Sequence, residues 1–130
     1  MQVSLDNNSP LYLQISSMIK LGIVSGQYPP GSKVDSVRDF AQQMGVNPNT
    51  MQRALSKLEE EKLLLTNRTN GKYVTEDVQM IEKLKNELAR EYINNFLKSM
   101  EQTGFSRDEV LSLLKSEFEK GEVADVYIGM

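Results

Sequence analysis

Residues Ser36 to Leu58, SVRDFAQQMGVNPNTMQRALSKL, constrain the fold more than any other stretch of this chain. Apolar side chains recur at Val37, Phe40, Ala41 and Met44, then at Met51, Ala54, Leu55 and Leu58. That is the three-to-four spacing of one buried helical face, met twice. Between the two faces, Gly45-Val46-Asn47 supplies a residue free to take φ > 0, an apolar plug and a polar cap. Pro48 follows at the first helical position, where the amide has no intrahelical partner to lose. The second helix presents Asn47, Asn49, Thr50, Gln52 and Arg53 outward. These side chains can hydrogen-bond base edges and phosphates, and they cluster at a helix N-terminus. A helix-turn-helix offers itself to a DNA major groove in this way.

The rest of the composition narrows the alternatives. At 130 residues the chain can hold one ordinary domain, or a small domain with a helical extension. With 39% apolar residues, a packed core is the expectation rather than disorder. No apolar run approaches the roughly 18 residues a membrane span needs. The N-terminal MQVSLDNNSP lacks the basic and apolar regions of a secretion signal, so a cytoplasmic location is expected. Without cysteine there is no disulfide framework or thiolate metal site. Without histidine the commonest general base and transition-metal ligand are missing. Carboxylates and lysines remain, but nothing places them in a catalytic pair. Neither enzymatic activity nor a metal or other cofactor is expected.

A net charge of −3 suits a DNA binder poorly until it is divided along the chain. Residues 1–75 carry eight Lys and Arg against six acids, a net +2. Residues 76–130 carry seven against twelve, a net −5. The basic half is the one with the reading helix, as an electrostatic footprint requires. Its excess is small, which predicts modest non-specific affinity and a need for two copies to bind DNA tightly.

The flanking segments extend the pattern. Ser9 as cap and Pro10 at the first position open a helix with apolar residues at Leu11, Ile15, Met18, Ile19 and Ile23. Gln27-Tyr28-Pro29-Pro30-Gly31 reads as a rigid turn. Ser36 caps the second helix, with Asp39 completing a capping-box-like pair. The third helix is expected from Pro48 to about Lys62, its Glu59-Glu60-Glu61 triplet forming a solvated face. Leu63 to Asn67 and Lys72 to Thr75, around Arg68-Thr69-Asn70-Gly71, read as a β-hairpin. A hairpin directly after a reading helix is a wing, and Arg68 at its tip can reach a minor groove or a phosphate. Thr75-Glu76-Asp77 starts a long helix whose apolar stripe includes Ile81, Leu84, Leu88, Tyr92, Phe96 and Met100. Gly104 stops it, and Ser106 to Glu109 forms a capping box for a last helix carrying Val110, Leu111, Leu114 and Phe118. Two helices alone cannot bury faces of that width. Packing against a second copy is expected, through Ile81, Leu84, Leu88, Tyr92, Phe96, Leu114 and Phe118. The closing GEVADVYIGM reads as a loose tail.

The architecture is therefore mainly α with a small β-hairpin. A winged helix-turn-helix domain over residues 1–75 precedes an α-helical dimerisation hairpin over 76–130.

Residues 10–74 resemble the winged helix-turn-helix domain of the GntR family of bacterial transcription regulators. The resemblance is carried by PLYLQI from Pro10, GQYPPGSK at Gly26–Lys33, SVRDFA at Ser36–Ala41, GVNPNTMQRAL at Gly45–Leu55 and the wing ending GKYV. The short helical remainder is similar to the YtrA subfamily, which the resemblance implies dimerises through two C-terminal helices without a large effector domain. It further implies that Arg38 touches DNA from the second helix. Asn47, Asn49, Thr50 and Arg53 then work at the start of the reading helix, and Arg68, Thr69, Asn70 and Gly71 form the wing tip. Three departures stand out. Val34-Asp35-Ser36 replaces the usual Leu-Pro-Ser. Pro48 and Gln52 occupy positions that are often basic, and the wing has lost a glycine and a lysine.

The expected function is a sequence-specific, homodimeric transcription regulator. It would act as a repressor on an inverted-repeat operator in double-stranded DNA, with a transporter operon implied by the resemblance. A small-molecule effector between the long helices is compatible with it, but the pattern identifies no pocket residues. The alternative is a winged-helix protein-interaction module that no longer binds DNA, motivated by the acidic balance, Asp35, Pro48 and the thinned wing.

Overall fold

The computed structural model describes residues 10–67 and 71–124. In order these form α1 (Leu11–Val24), α2 (Val37–Met44), α3 (Pro48–Glu60), β1 (Leu64–Asn67), β2 (Gly71–Val74), α4 (Val78–Gln102) and α5 (Arg107–Ala124). Among the described residues the protein is helical with one two-stranded antiparallel hairpin, as the periodicity predicts. Ser9, the wing tip Arg68-Thr69-Asn70 and the residues after Ala124 lie outside the described residues.

The helix ends follow from their local chemistry. Ser36 Oγ accepts a hydrogen bond from the Asp39 amide at 3.1 Å, and Asn47 Oδ1 accepts one from the Asn49 amide at 2.7 Å. At α2, Gly45 takes φ 70°, the left-handed conformation that suits a residue without Cβ. Val46 then donates back to Ala41 and Gly45 to Gln42, the paired closure of a Schellman motif. α3 ends in the same pair of bonds, Leu63 to Leu58 and Lys62 to Glu59, but here the left-handed position is Lys62 with φ 64°. α1 begins one residue later than the sequence suggests. Pro10 is extended, at ψ 146°, and its carbonyl accepts the first amides of the helix.

The core lies where α1 and α2 pack on α3. Ile15, Ile19 and Ile23 meet Phe40, Ala41 and Met44 and the buried face Met51, Ala54, Leu55 and Leu58. Leu63, Leu64 and Val74 close it from the hairpin side. Each fully buried Leu or Ile contributes on the order of 1.5–3 kcal/mol. Gly22 sits in this packing against Tyr28, and a Cβ there would lie 2.4 Å from the Tyr28 ring. Ser16 is the polar exception on α1. Its buried hydroxyl donates to the Ala54 carbonyl at 2.7 Å and so fixes where α1 crosses α3.

The segment read as a turn does more than turn. Gly31 donates to Val74, Val74 to Ser32 and Val34 to Lys72, so residues 31–34 run beside β2 and tether the wing to the start of α2. Nothing in a Pro-Pro-Gly turn signals that pairing.

The described residues fall into two compact units that divide at Asn86/Glu87, within α4. The division lies beyond the 75/76 division read from sequence because Ile81 is buried and Leu84 packs against the first unit's core. The second unit is the hairpin of α4 from Glu87 onward with α5. Its turn is closed by Gly104, with Phe105 donating to Met100, and by the reciprocal capping box of Ser106 and Glu109.

Candidate nucleic-acid interface

α3 is presented by its cap and by its buried face. With Met51, Ala54, Leu55 and Leu58 inward, the helical period turns Asn49, Gln52 and Arg53 to the surface, where all three are exposed. Thr50 is half-buried at their edge. Asn47 is occupied as the N-cap. Gln52 donates through Nε2 to Ser56 Oγ at 3.2 Å, one turn along the same face. Arg53 is not simply solvated. Its guanidinium carbon lies 4.1 Å from the centre of the Tyr12 ring on α1.

Arg38 is exposed on α2, with no ion-pair partner among the described residues. Gly71 is exposed at the start of β2, φ 93°, and pairs with Asn67. Asp35, the departure at the turn, is engaged by Gln43, whose Nε2 donates to its carboxylate at 2.9 Å.

The acidic triplet at the end of α3 differs from the solvated face expected of it. Only Glu60 is mainly solvated. Glu61 pairs with Lys20 of α1 at 2.8 Å. Glu59 pairs with Lys72 of β2 at 2.9 Å and accepts a hydrogen bond from the Thr66 hydroxyl of β1. Partial burial disfavours the Glu59 carboxylate, but the Thr66 and Lys72 hydrogen bonds and the Lys72 charge outweigh it, and its pKa is lowered. The last turns of α3 are thus pinned to α1 on one side and to the wing on the other. Lys72 is spent on that link. Sequence reasoning missed Tyr12, Glu59 and Lys72. One signal was available: Tyr12 precedes Ser16 by four residues, so both lie on one face of α1.

The residues expected at a dimer contact separate into two groups. Ile81 is only 7% exposed and belongs, with Leu84, to the first unit's packing. Tyr92, Phe96 and Phe118 are exposed in the second unit, Phe118 at 71%, and Leu88 and Leu114 are half-buried. With Ile93, Leu97, Val110 and Leu111, the aromatic residues and Leu114 line an open apolar groove of about 680 Å³.

Comparison with known proteins agrees with this geometry. Residues 11–74 match the family described as bacterial regulatory proteins, gntR family. The chain is 36% identical over 115 residues to the uncharacterized HTH-type transcriptional regulator YhcF of Bacillus subtilis, an alignment spanning 88% of this chain and 95% of YhcF. It is 35% identical over 78 residues to the HTH-type transcriptional repressor YtrA of the same organism, with 60% of each chain covered. A GntR family transcriptional regulator from Listeria monocytogenes superposes with a TM-score of 0.78 at 39% identity, over 86% of this chain and 98% of that one. The DNA-binding domain of AraR in complex with its operator ORX1 superposes with a TM-score of 0.53 at 25% identity, over 58% of this chain and 95% of that one. Among the described residues no helix is long and apolar enough to cross a membrane. The chain belongs to the GntR family of DNA-binding bacterial transcription regulators, with YhcF and YtrA among its relatives.

Proposed function

We propose that the chain is a homodimeric repressor in which each winged unit reads one half of an inverted-repeat operator. The observation that carries this reading is the contrast between a closed winged core and the open apolar face of Tyr92, Phe96, Leu111 and Phe118. A monomer rarely leaves so much contiguous apolar surface to water, and a second copy covers it by symmetry. In this reading Arg38, Asn49, Thr50, Gln52 and Arg53 face DNA, with Asn47 fixing the helix start and Arg68 to Gly71 at the wing tip. Leu88, Tyr92, Phe96, Leu114 and Phe118 form the dimer contact, and Ile81 and Leu84 anchor the start of α4 in the winged unit. Residues 1–75 then bind DNA and 76–130 dimerise. Similarity to a YtrA repressor supports repression over activation, and a transporter operon rests on the family resemblance alone.

Selection from a random-sequence duplex library with the purified protein tests this directly. The expected product is an inverted repeat whose half-sites are set apart by the dimer. No preferred sequence at low salt, from a protein that remains a stable dimer, would point instead to a protein-interaction module on a winged scaffold.

A further inference from the structure

We propose that Tyr12 is a positioning residue for DNA binding. Its ring holds the Arg53 guanidinium at the α1 side of the reading helix, so that Arg53 grips a phosphate instead of reading a base. The proposal rests on Arg53 belonging to the DNA interface, as proposed above.

The 4.1 Å separation between the guanidinium carbon and the ring centre is well inside cation–π range. The ring itself is held in place. Ser16, one turn after Tyr12, is bonded to the carbonyl of Ala54, the residue next to Arg53, at 2.7 Å. Further along, Lys20 is paired with Glu61 at 2.8 Å. α1 and α3 are therefore fastened at two points, both on the C-terminal side of the stack, and the nearer one holds the two backbones together one turn from Tyr12. Among the described residues no carboxylate pairs with Arg53.

A guanidinium engaged through its face keeps the N–H groups around its rim free, and those match the oxygens of a phosphate. Direction decides between phosphate and base. A helix lying in the major groove sends its base-reading side chains from its N-terminal end down into the groove. Arg53 is turned sideways onto the neighbouring helix, towards the wall of the groove, where the phosphates are. A side chain already held there has less rotamer freedom to lose on docking. With Pro48 and Gln52 in place of cations, a pre-positioned arginine matters more to this chain than a loose one would.

The test uses the full-length protein, the duplex recovered by selection and a scrambled duplex, with affinities measured by fluorescence anisotropy across a salt series. Arg53→Ala is expected to weaken binding to both duplexes by the same factor. It should also make the salt dependence shallower by about 0.9 in log–log slope for each copy of Arg53 engaged. Tyr12→Leu should weaken both duplexes about two- to fivefold, while Tyr12→Phe, which keeps the ring face, binds as the wild type does. Adding Tyr12→Leu to Arg53→Ala should cost nothing more. If Tyr12→Leu does not fold, Arg53→Lys tests the same stack from the other side, since it keeps the charge but loses the planar group. It should bind more weakly than the wild type, and wild-type binding by it would count against the stack. Unchanged or tighter binding by folded Tyr12→Leu, while Arg53→Ala is weakened, overturns the role of Tyr12 alone. A loss confined to the selected duplex in Arg53→Ala makes Arg53 a base reader and overturns the phosphate assignment. If Arg53→Ala binds every duplex as the wild type does, Arg53 leaves the interface altogether.

Discussion

The two units of this chain solve the same problem with different resources. The winged unit draws apolar residues from α1, α2, α3, the start of α4 and the hairpin into one cluster, with Ile15, Met51, Ala54, Leu55 and Leu58 all fully buried. The α4–α5 unit has two helices and buries Val110, while Leu111 and Phe118 stay mostly exposed. Two helices have one mutual contact line, and a stripe wider than that line must face water or another chain. The charge is also divided along the chain, net +2 over residues 1–75 and −5 over residues 76–130. A unit that is complete in itself can be tuned at its surface for recognition. In the proposed dimer, the incomplete unit turns its missing surface into assembly.

The largest expected effect comes from attacking the incomplete unit. Phe96→Glu combined with Phe118→Glu should give a monomer by light scattering. It should lower operator affinity by about 10²–10⁴-fold, the gain that linking two half-site contacts provides. The same protein should keep the cooperative unfolding of its winged unit. The reverse attack, Leu58→Ala, opens a cavity where the side chain is 0% exposed and should cost about 2–5 kcal/mol in urea unfolding. That loss should not depend on protein concentration, and a concentration-dependent loss would mean the winged unit is not self-sufficient. Lys62→Gly relieves a left-handed backbone at the end of α3 and should stabilise the winged unit by about 1 kcal/mol.

The smallest effect concerns the wing. The pKa of Glu59 is held below its ordinary 4.5 by Thr66 and Lys72. A carboxylate lowered on folding contributes stability that is fully present above its unfolded pKa and lost as pH falls through the folded one. Glu59→Gln should therefore flatten the acid limb of the stability profile below about pH 5. Near neutral pH it should loosen the wing, read as faster amide exchange at Thr66 and Lys72.

Much of this was legible in the chain itself, for a physical reason. Helix periodicity, the Ser36 and Asn47 caps, the Ser106–Glu109 box and the Asn-Gly-containing hairpin are local, and each is set by residues within a few positions of one another. The contacts that escaped are distant ones. Val34 against Lys72, Ser16 against Ala54 and Glu59 against Lys72 join residues far apart in sequence, and no spacing rule announces them. The acidic triplet read as solvent-facing because charge density was the visible signal. Its outer members turned out to be ties to α1 and to the wing. Ile81 and Leu84 read as part of one continuous stripe, since a period cannot show where a long helix passes from one unit's packing to the next.

The central claim is that two winged units, joined through the acidic helices, read DNA as a symmetric pair. Footprinting on the selected duplex, with the mass of the complex measured in the same solution, tests it most directly. The account predicts two chains per duplex and two protected half-sites related by a two-fold axis. A single chain bound at full affinity to one half-site would contradict it.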